Sequence, residues 1–149
     1  MRQSPPNTDA APETAMKKTL QHRIFGWGSI PRQYAPALHD EGIILLDEGI
    51  GASITYKQFK APGRYHSWKR NWFTGSIVLT ERTFAAFALS RPLIYVALDH
   101  ENISALDCAI EESGALLVRY DASAFNEEWS GTIECRFKTP KAHEFIEWL

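Results

Sequence analysis

From Gly49 to Thr80 the chain holds no Asp or Glu but five cations, Lys57, Lys60, Arg64, Lys69 and Arg70. Tyr56, Phe59, Tyr65, Trp68, Trp72 and Phe73 are interleaved with them. The stretch carries +5 in a chain whose total is −2, which leaves −7 for the remainder. Cations beside amphipathic rings suit an anionic surface: ammonium and guanidinium groups pair with phosphates, and the rings sit at a headgroup boundary. Each Lys or Arg near an anionic membrane contributes ~1 kcal/mol, and salt screens it over ~8–10 Å. Lys57, Lys60, Arg64, Trp68, Lys69 and Arg70 are therefore the candidate ligand-binding residues. A plainer reading fits the same residues, because long cationic side chains on an edge hairpin guard against edge-to-edge aggregation while alternate aromatics fill the core. Single-stranded nucleic acid is also held by exposed rings and cations, but the negative remainder of the chain disfavours it.

Other constellations fail on spacing. His22, His39, His66, His100 and His143 show no HxxxH, HxH or Cys partner at ligand distance, so no metal site is expected. Asp47-Glu48, Glu111-Glu112 and Glu127-Glu128 are adjacent carboxylates, and adjacent strand residues point to opposite faces, which makes them poor acid/base pairs. Gly26-x-Gly28 and Gly49-x-Gly51 lack the third glycine and the strand–helix context of a phosphate loop. No GxSxG occurs, and spacing assigns no base to Ser29, Ser67, Ser104 or Ser130. Neither a catalytic residue nor a cofactor is expected.

The two cysteines, Cys108 and Cys135, cannot form a disulfide framework and fall on apolar strand positions as free thiols, in line with a reducing compartment. No apolar run approaches the ~20 residues of a membrane-spanning helix. Met1 to Thr14 lacks the apolar core of a secretory signal. The expected location is cytoplasmic, peripheral to a membrane if the basic stretch meets lipid.

The elements that must position this stretch follow from periodicity. Residues 1–15 read as a disordered tail. Residues 16–40 read as a short helix, with Leu20, Ile24 and Trp27 on one face, and an irregular extension broken by Gly26, Gly28, Pro31 and Pro36, anchored by Trp27 and Tyr34. Beyond Asp40 the period becomes two. Strands are predicted near 42–47, 51–60, 72–80, 82–89, 92–98, 104–111, 115–121 and 131–138. In the last, Ile133, Cys135 and Phe137 share one face, and Thr132, Glu134, Arg136 and Lys138 the other. Thr139 is a good N-cap with Pro140 at the first helical position. Ala142, Phe145, Ile146 and Leu149 then form one apolar stripe, with Trp148 at its rim. Residues 41–149 are thus expected to form one mainly β domain, an antiparallel barrel of 7–8 strands capped by a C-terminal helix.

That layout resembles the pleckstrin-homology-like barrel superfamily, which includes the related GRAM domains. Trp68-Lys69-Arg70-Asn71-Trp72-Phe73 followed by Leu79-Thr80 is similar to the basic-aromatic strand pair of pleckstrin-homology domains. Gly75-Ser76-Ile77-Val78-Leu79-Thr80-Glu81-Arg82-Thr83-Phe84 resembles the GRAM-type hairpin, with Arg82 one residue early. Leu93 to Leu98, then Ile103 and Leu106, look like a further segment of that group, with a longer gap. The segments Asp47–Tyr56 and Ala61–Trp68 are similar to an uncharacterised bacterial branch to which no activity is attached. In phosphoinositide-binding members a Lys on the first strand and a basic-x-Arg on the second hold phosphates. By resemblance Lys57 and Lys69 match, and Asn71 stands where the Arg would be.

The reading is a non-enzymatic binding or scaffold domain that contacts anionic lipid or phosphate groups through the basic-aromatic hairpin. A protein or peptide interaction module without lipid binding is the first alternative. A small barrel enzyme or carrier is the second; it needs polar inward positions, whereas Ile54, Leu79, Leu106, Ile133 and Phe137 are apolar.

Overall fold

The structure, a computed structural model, describes residues 29–149. The tail and the Leu20, Ile24, Trp27 face lie outside the described residues. A short helix α1 (Ala35–Glu41) leads into β1 (Ile43–Ala61), β2 (Arg64–Thr80), β3 (Thr83–Ala88) and β4 (Arg91–Ala97). A 3₁₀ turn (Glu101–Ala105) crosses to β5 (Asp107–Ile110), β6 (Leu116–Asp121) and β7 (Ser130–Phe137), and α2 (Ala142–Trp148) ends the chain. All strands join one antiparallel sheet of order β4-β3-β2-β1-β7-β6-β5.

Seven strands, within the 7–8 expected, account for the eight predicted segments, because 42–47 and 51–60 are one strand. Asp47-Glu48-Gly49 is a bulge in β1, with a register shift between Glu48 and Ile50 and Gly49 at φ 69°. Tertiary partners hold the two carboxylates within the strand. Thr139 Oγ1 donates to Asp47 at 2.6 Å, and the Ile30 amide donates to Glu48 at 2.8 Å. The second strand also starts earlier than predicted, at Arg64.

The sheet curls into a half-barrel rather than closing, and no ladder joins β4 to β5. Apolar side chains cover the gap. Ile103 and Leu106 of the crossing segment pack on the core, and α2 lies beside β5 with Phe145 against Phe84 at 6.2 Å. The expected stripe is present: Ala142 and Phe145 are buried, and Ile146 and Leu149 pack at the core's margin. The helix begins at Ala142 rather than at Thr139-Pro140. Thr139 Oγ1 accepts from the Lys141 amide at 3.1 Å while donating to Asp47, so the residue forms a turn tied to β1 ahead of the helix. Phe59, Phe84, Phe137 and Phe145 are fully buried in the concave core, each burial worth roughly 1.5–3 kcal/mol.

A second, smaller apolar layer lies on the convex face. Ile30 and Leu38 pack on Val78, Ala85 and Phe87, and Tyr34 stacks near Phe87 and Tyr95 at 5.2 and 5.5 Å. Tyr34 anchors this segment as expected, but Ala35–Glu41 is helical where an irregular chain was predicted. Pro36 lies in its first turn, where the missing N–H has no intrahelical partner to lose. The segment sits over β2, β3 and β4, away from the β1–β2 tip.

Candidate functional site

The basic-aromatic stretch is a long two-stranded hairpin whose tip turns at Pro62-Gly63, with Ala61 opposite Arg64 and Gly63 at φ 75°. One irregularity sets its faces. Tyr56 and Phe59 both point into the core, which strict alternation forbids. Gln58 at φ 49° is the extra residue of a bulge, and the register against β7 shifts between Lys57 and Lys60. Gly131 of β7 accommodates it: a Cβ there would lie 2.3 Å from the Gln58 carbonyl oxygen. Phe59 is thereby buried and Lys60 turned to solvent.

The six candidate residues do not form one cluster. Lys60, Arg64 and Lys69 are exposed near the tip, Lys60 beside Tyr65 at 5.8 Å and Arg64 over Phe59 at 5.5 Å. Lys69 pairs with Tyr56 on the concave side. Lys57, Trp68 and Arg70 lie on the convex face, where register places Lys57 beside Trp68 and Thr55 beside Arg70. Trp68 and Trp72 are 58% and 65% exposed. The Arg70 guanidinium lies between them, 5.2 and 5.7 Å from their ring centres, and its Nε donates to Thr55 Oγ1 at 2.8 Å. Cation–ring contacts of this kind are worth about 0.5–1 kcal/mol at exposed sites, and here they fix the side chain's direction.

Lys57 is already engaged. Its Nζ donates to Glu134 Oε2 at 3.1 Å. Glu134 was expected on a solvent-facing strand position, and it does point to the convex face. Yet its side chain is only 2% exposed, because Arg119 Nε (2.9 Å) and Arg136 Nη2 (3.0 Å) also donate to it. Arg136 Nε continues the network to Glu111 at 2.8 Å, and Arg119 Nη1 reaches Asp107 at 3.4 Å. Burial raises the Glu134 carboxyl, but the bonds from Arg119, Lys57 and Arg136 outweigh it and leave its pKa at about 2.

Above this network, register aligns Arg136, Ser53 and Trp72 in one row across β7, β1 and β2. Lys138 stands at the end of β7, its amide donating to the Gly51 carbonyl at 2.9 Å and its Nζ 5.5 Å from the Trp72 ring. These residues border a cleft of about 220 Å³, closed on its far side by Glu111, Ser113 and Ala115 of the β5–β6 turn. Sequence periodicity shows Arg136 and Lys138 on the outward face of their strand. It shows neither that Ser53 and Arg70 stand beside them nor that Glu134 is buried, because both depend on register across three strands.

Cys108, Val118, Cys135 and Ile54 align in another row across β5, β6, β7 and β1, on the concave side. Both thiols are free, Cys135 buried and Cys108 half-buried. A strand between them separates their backbones by about two strand spacings, roughly 9–10 Å, too far for a disulfide. Among the described residues, no group of three or more His, Cys, Asp or Glu side chains could hold a metal ion, and no helix is long and apolar enough to cross a membrane. Comparison with protein-family models, curated proteins and solved structures gave no match, so the chain's own geometry is what a functional reading rests on.

Proposed function

We propose that the chain is a non-enzymatic binding domain of pleckstrin-homology-like kind whose β1–β2 hairpin tip meets an anionic lipid surface. The observation that carries this reading is the tip itself. Lys60, Arg64 and Lys69 are exposed with Tyr65 and Trp68, no acidic residue occurs between Gly49 and Thr80, and the described part of the N-terminal segment packs elsewhere. The seven-strand order and the C-terminal helix support the kinship. Lys57 donates to Glu134 at 3.1 Å, so the proposed contact rests on the other cations of the tip.

The test is co-sedimentation with phosphatidylserine vesicles at low salt, against neutral vesicles. The variant joins Lys60→Glu, Arg64→Glu and Lys69→Glu, side chains that form no ion pair among the described residues. At ~1 kcal/mol per cation, binding falls on the order of 100-fold or more. Equal binding by the variant, or no wild-type binding, refutes the reading.

A second reading has its own support. β2 pairs with β1 along its whole length, but with β3 only from Gly75 to Leu79. Among the described residues, the other edge of 64–73 therefore has no strand beside it, which is the geometry that accepts an extended peptide as an added strand. Failure to bind vesicles, with amides of 65–73 protected from hydrogen exchange by an added peptide, would favour it.

A further inference from the structure

The convex cleft between β7, β1 and β2 lies apart from the hairpin tip, and its walls carry an unmet chemical demand. Ser53 is 1% exposed, and among the described residues its Oγ has no hydrogen-bond partner although it borders the cleft. A buried hydroxyl without a partner costs roughly 1–3 kcal/mol, and most such groups in folded proteins are satisfied. Around it stand three cations, Arg70, Arg136 and Lys138, against one carboxylate, Glu111. That carboxylate is already occupied by Arg136 Nε at 2.8 Å. Arg136 is spent on Glu111 and Glu134. Arg70 uses Nε on Thr55, and no hydrogen bond among the described residues engages its terminal nitrogens or Lys138 Nζ. The two indoles beside Arg70 and the single one beside Lys138 hold both cations in place before any ligand arrives.

We propose that this cleft binds a small oxyanion, a phosphate or carboxylate group, through Ser53 Oγ, the terminal nitrogens of Arg70 and Lys138 Nζ, beside the Trp72 indole. The chemistry follows from the donors. A guanidinium edge offers two parallel N–H groups that match an oxyanion. The ammonium adds charge, and the hydroxyl finds in the anion the acceptor it lacks. At about 220 Å³ the cleft is smaller than the ~300–1,000 Å³ of pockets for drug-sized ligands. It takes the anionic group alone or the anionic end of a larger molecule.

The experiment is a titration of the full ¹⁵N-labelled chain with inorganic phosphate, compared with sodium chloride at equal ionic strength. Saturable shifts of the Trp72 indole N–H and the Arg70 Nε–H are expected. Lys138→Met weakens binding about tenfold and Ser53→Ala about threefold, in keeping with one charge-assisted and one neutral hydrogen bond. Among the described residues neither side chain makes a hydrogen bond or ion pair, so both variants keep the wild-type spectrum elsewhere. The Lys60→Glu, Arg64→Glu, Lys69→Glu variant binds phosphate as the wild type does, which separates this site from the tip. Glycerol 3-phosphate and phosphatidic acid vesicles identify the source: competition by the soluble ester indicates a free anion, and competition by vesicles alone a lipid headgroup. Absence of saturable shifts, the same shifts with chloride, or binding unchanged in both Lys138→Met and Ser53→Ala would overturn the proposal.

Discussion

Replacing Glu134 with Gln tests whether the convex network is a structural keystone. Glu134 accepts from Lys57, Arg119 and Arg136 while 2% exposed. Its carboxyl falls from an ordinary 4.5 to about 2, and at 1.36 kcal/mol per pKa unit that difference caps its contribution at roughly 3 kcal/mol. The cations are 20–43% exposed, so solvent screening brings the expected loss to roughly 2 kcal/mol. The folded pKa is depressed, so the contribution is complete above about 4.5 and is lost as pH falls through about 2. Urea unfolding of wild type and Glu134→Gln between pH 7 and pH 2.5 measures it. The difference between the two proteins should be about 2 kcal/mol at pH 7 and shrink steadily below pH 4.5. A pH 7 difference under about 0.5 kcal/mol, in the range of exposed pairs, or one that does not shrink in acid, would refute the reasoning.

Three further outcomes are expected. Gly75→Ala should destabilise by more than about 2 kcal/mol in the same assay, since its Cβ would meet the Phe87 carbonyl oxygen at 2.3 Å and the Phe73 ring at 2.9 Å. Gly63→Ala at the open tip should cost only the roughly 1–2 kcal/mol of a positive φ. For the thiols, burial pushes Cys108 up to about 11, helped by Asp107, and burial pushes Cys135 up to about 12 against the opposing effects of Tyr120 and Arg136. At pH 8 Ellman's reagent should therefore modify Cys108 slowly and Cys135 only at the unfolding rate. Fast labelling of both would contradict the packing.

Much of the sheet was legible in the chain because its signals are local. Ile133, Cys135 and Phe137 alternate cleanly, Ala142, Phe145, Ile146 and Leu149 recur at helical spacing, and both patterns bury as expected. The break expected between 42–47 and 51–60 is absent because local pattern says nothing about Ile30 and Thr139, which reach the carboxylates of Glu48 and Asp47 from 18 and 92 residues away. The tip shows the same limit: one bulge at Gln58 puts Phe59 on the core side, and Gly131 on another strand makes room for it.

By itself, then, the sequence determined a β-rich chain, its C-terminal helix, and a cationic, aromatic hairpin, since these rest on side-chain period and on charges counted along the chain. Tertiary structure alone decided which cations are free. Lys57 and Lys60 stand three residues apart, yet Glu134 engages one and solvent surrounds the other. Ser53 and Lys138, 85 positions apart, line one cleft only because β1 and β7 are neighbours in register. Charge is a property of a residue, but its availability depends on what the fold places within about 3 Å of it.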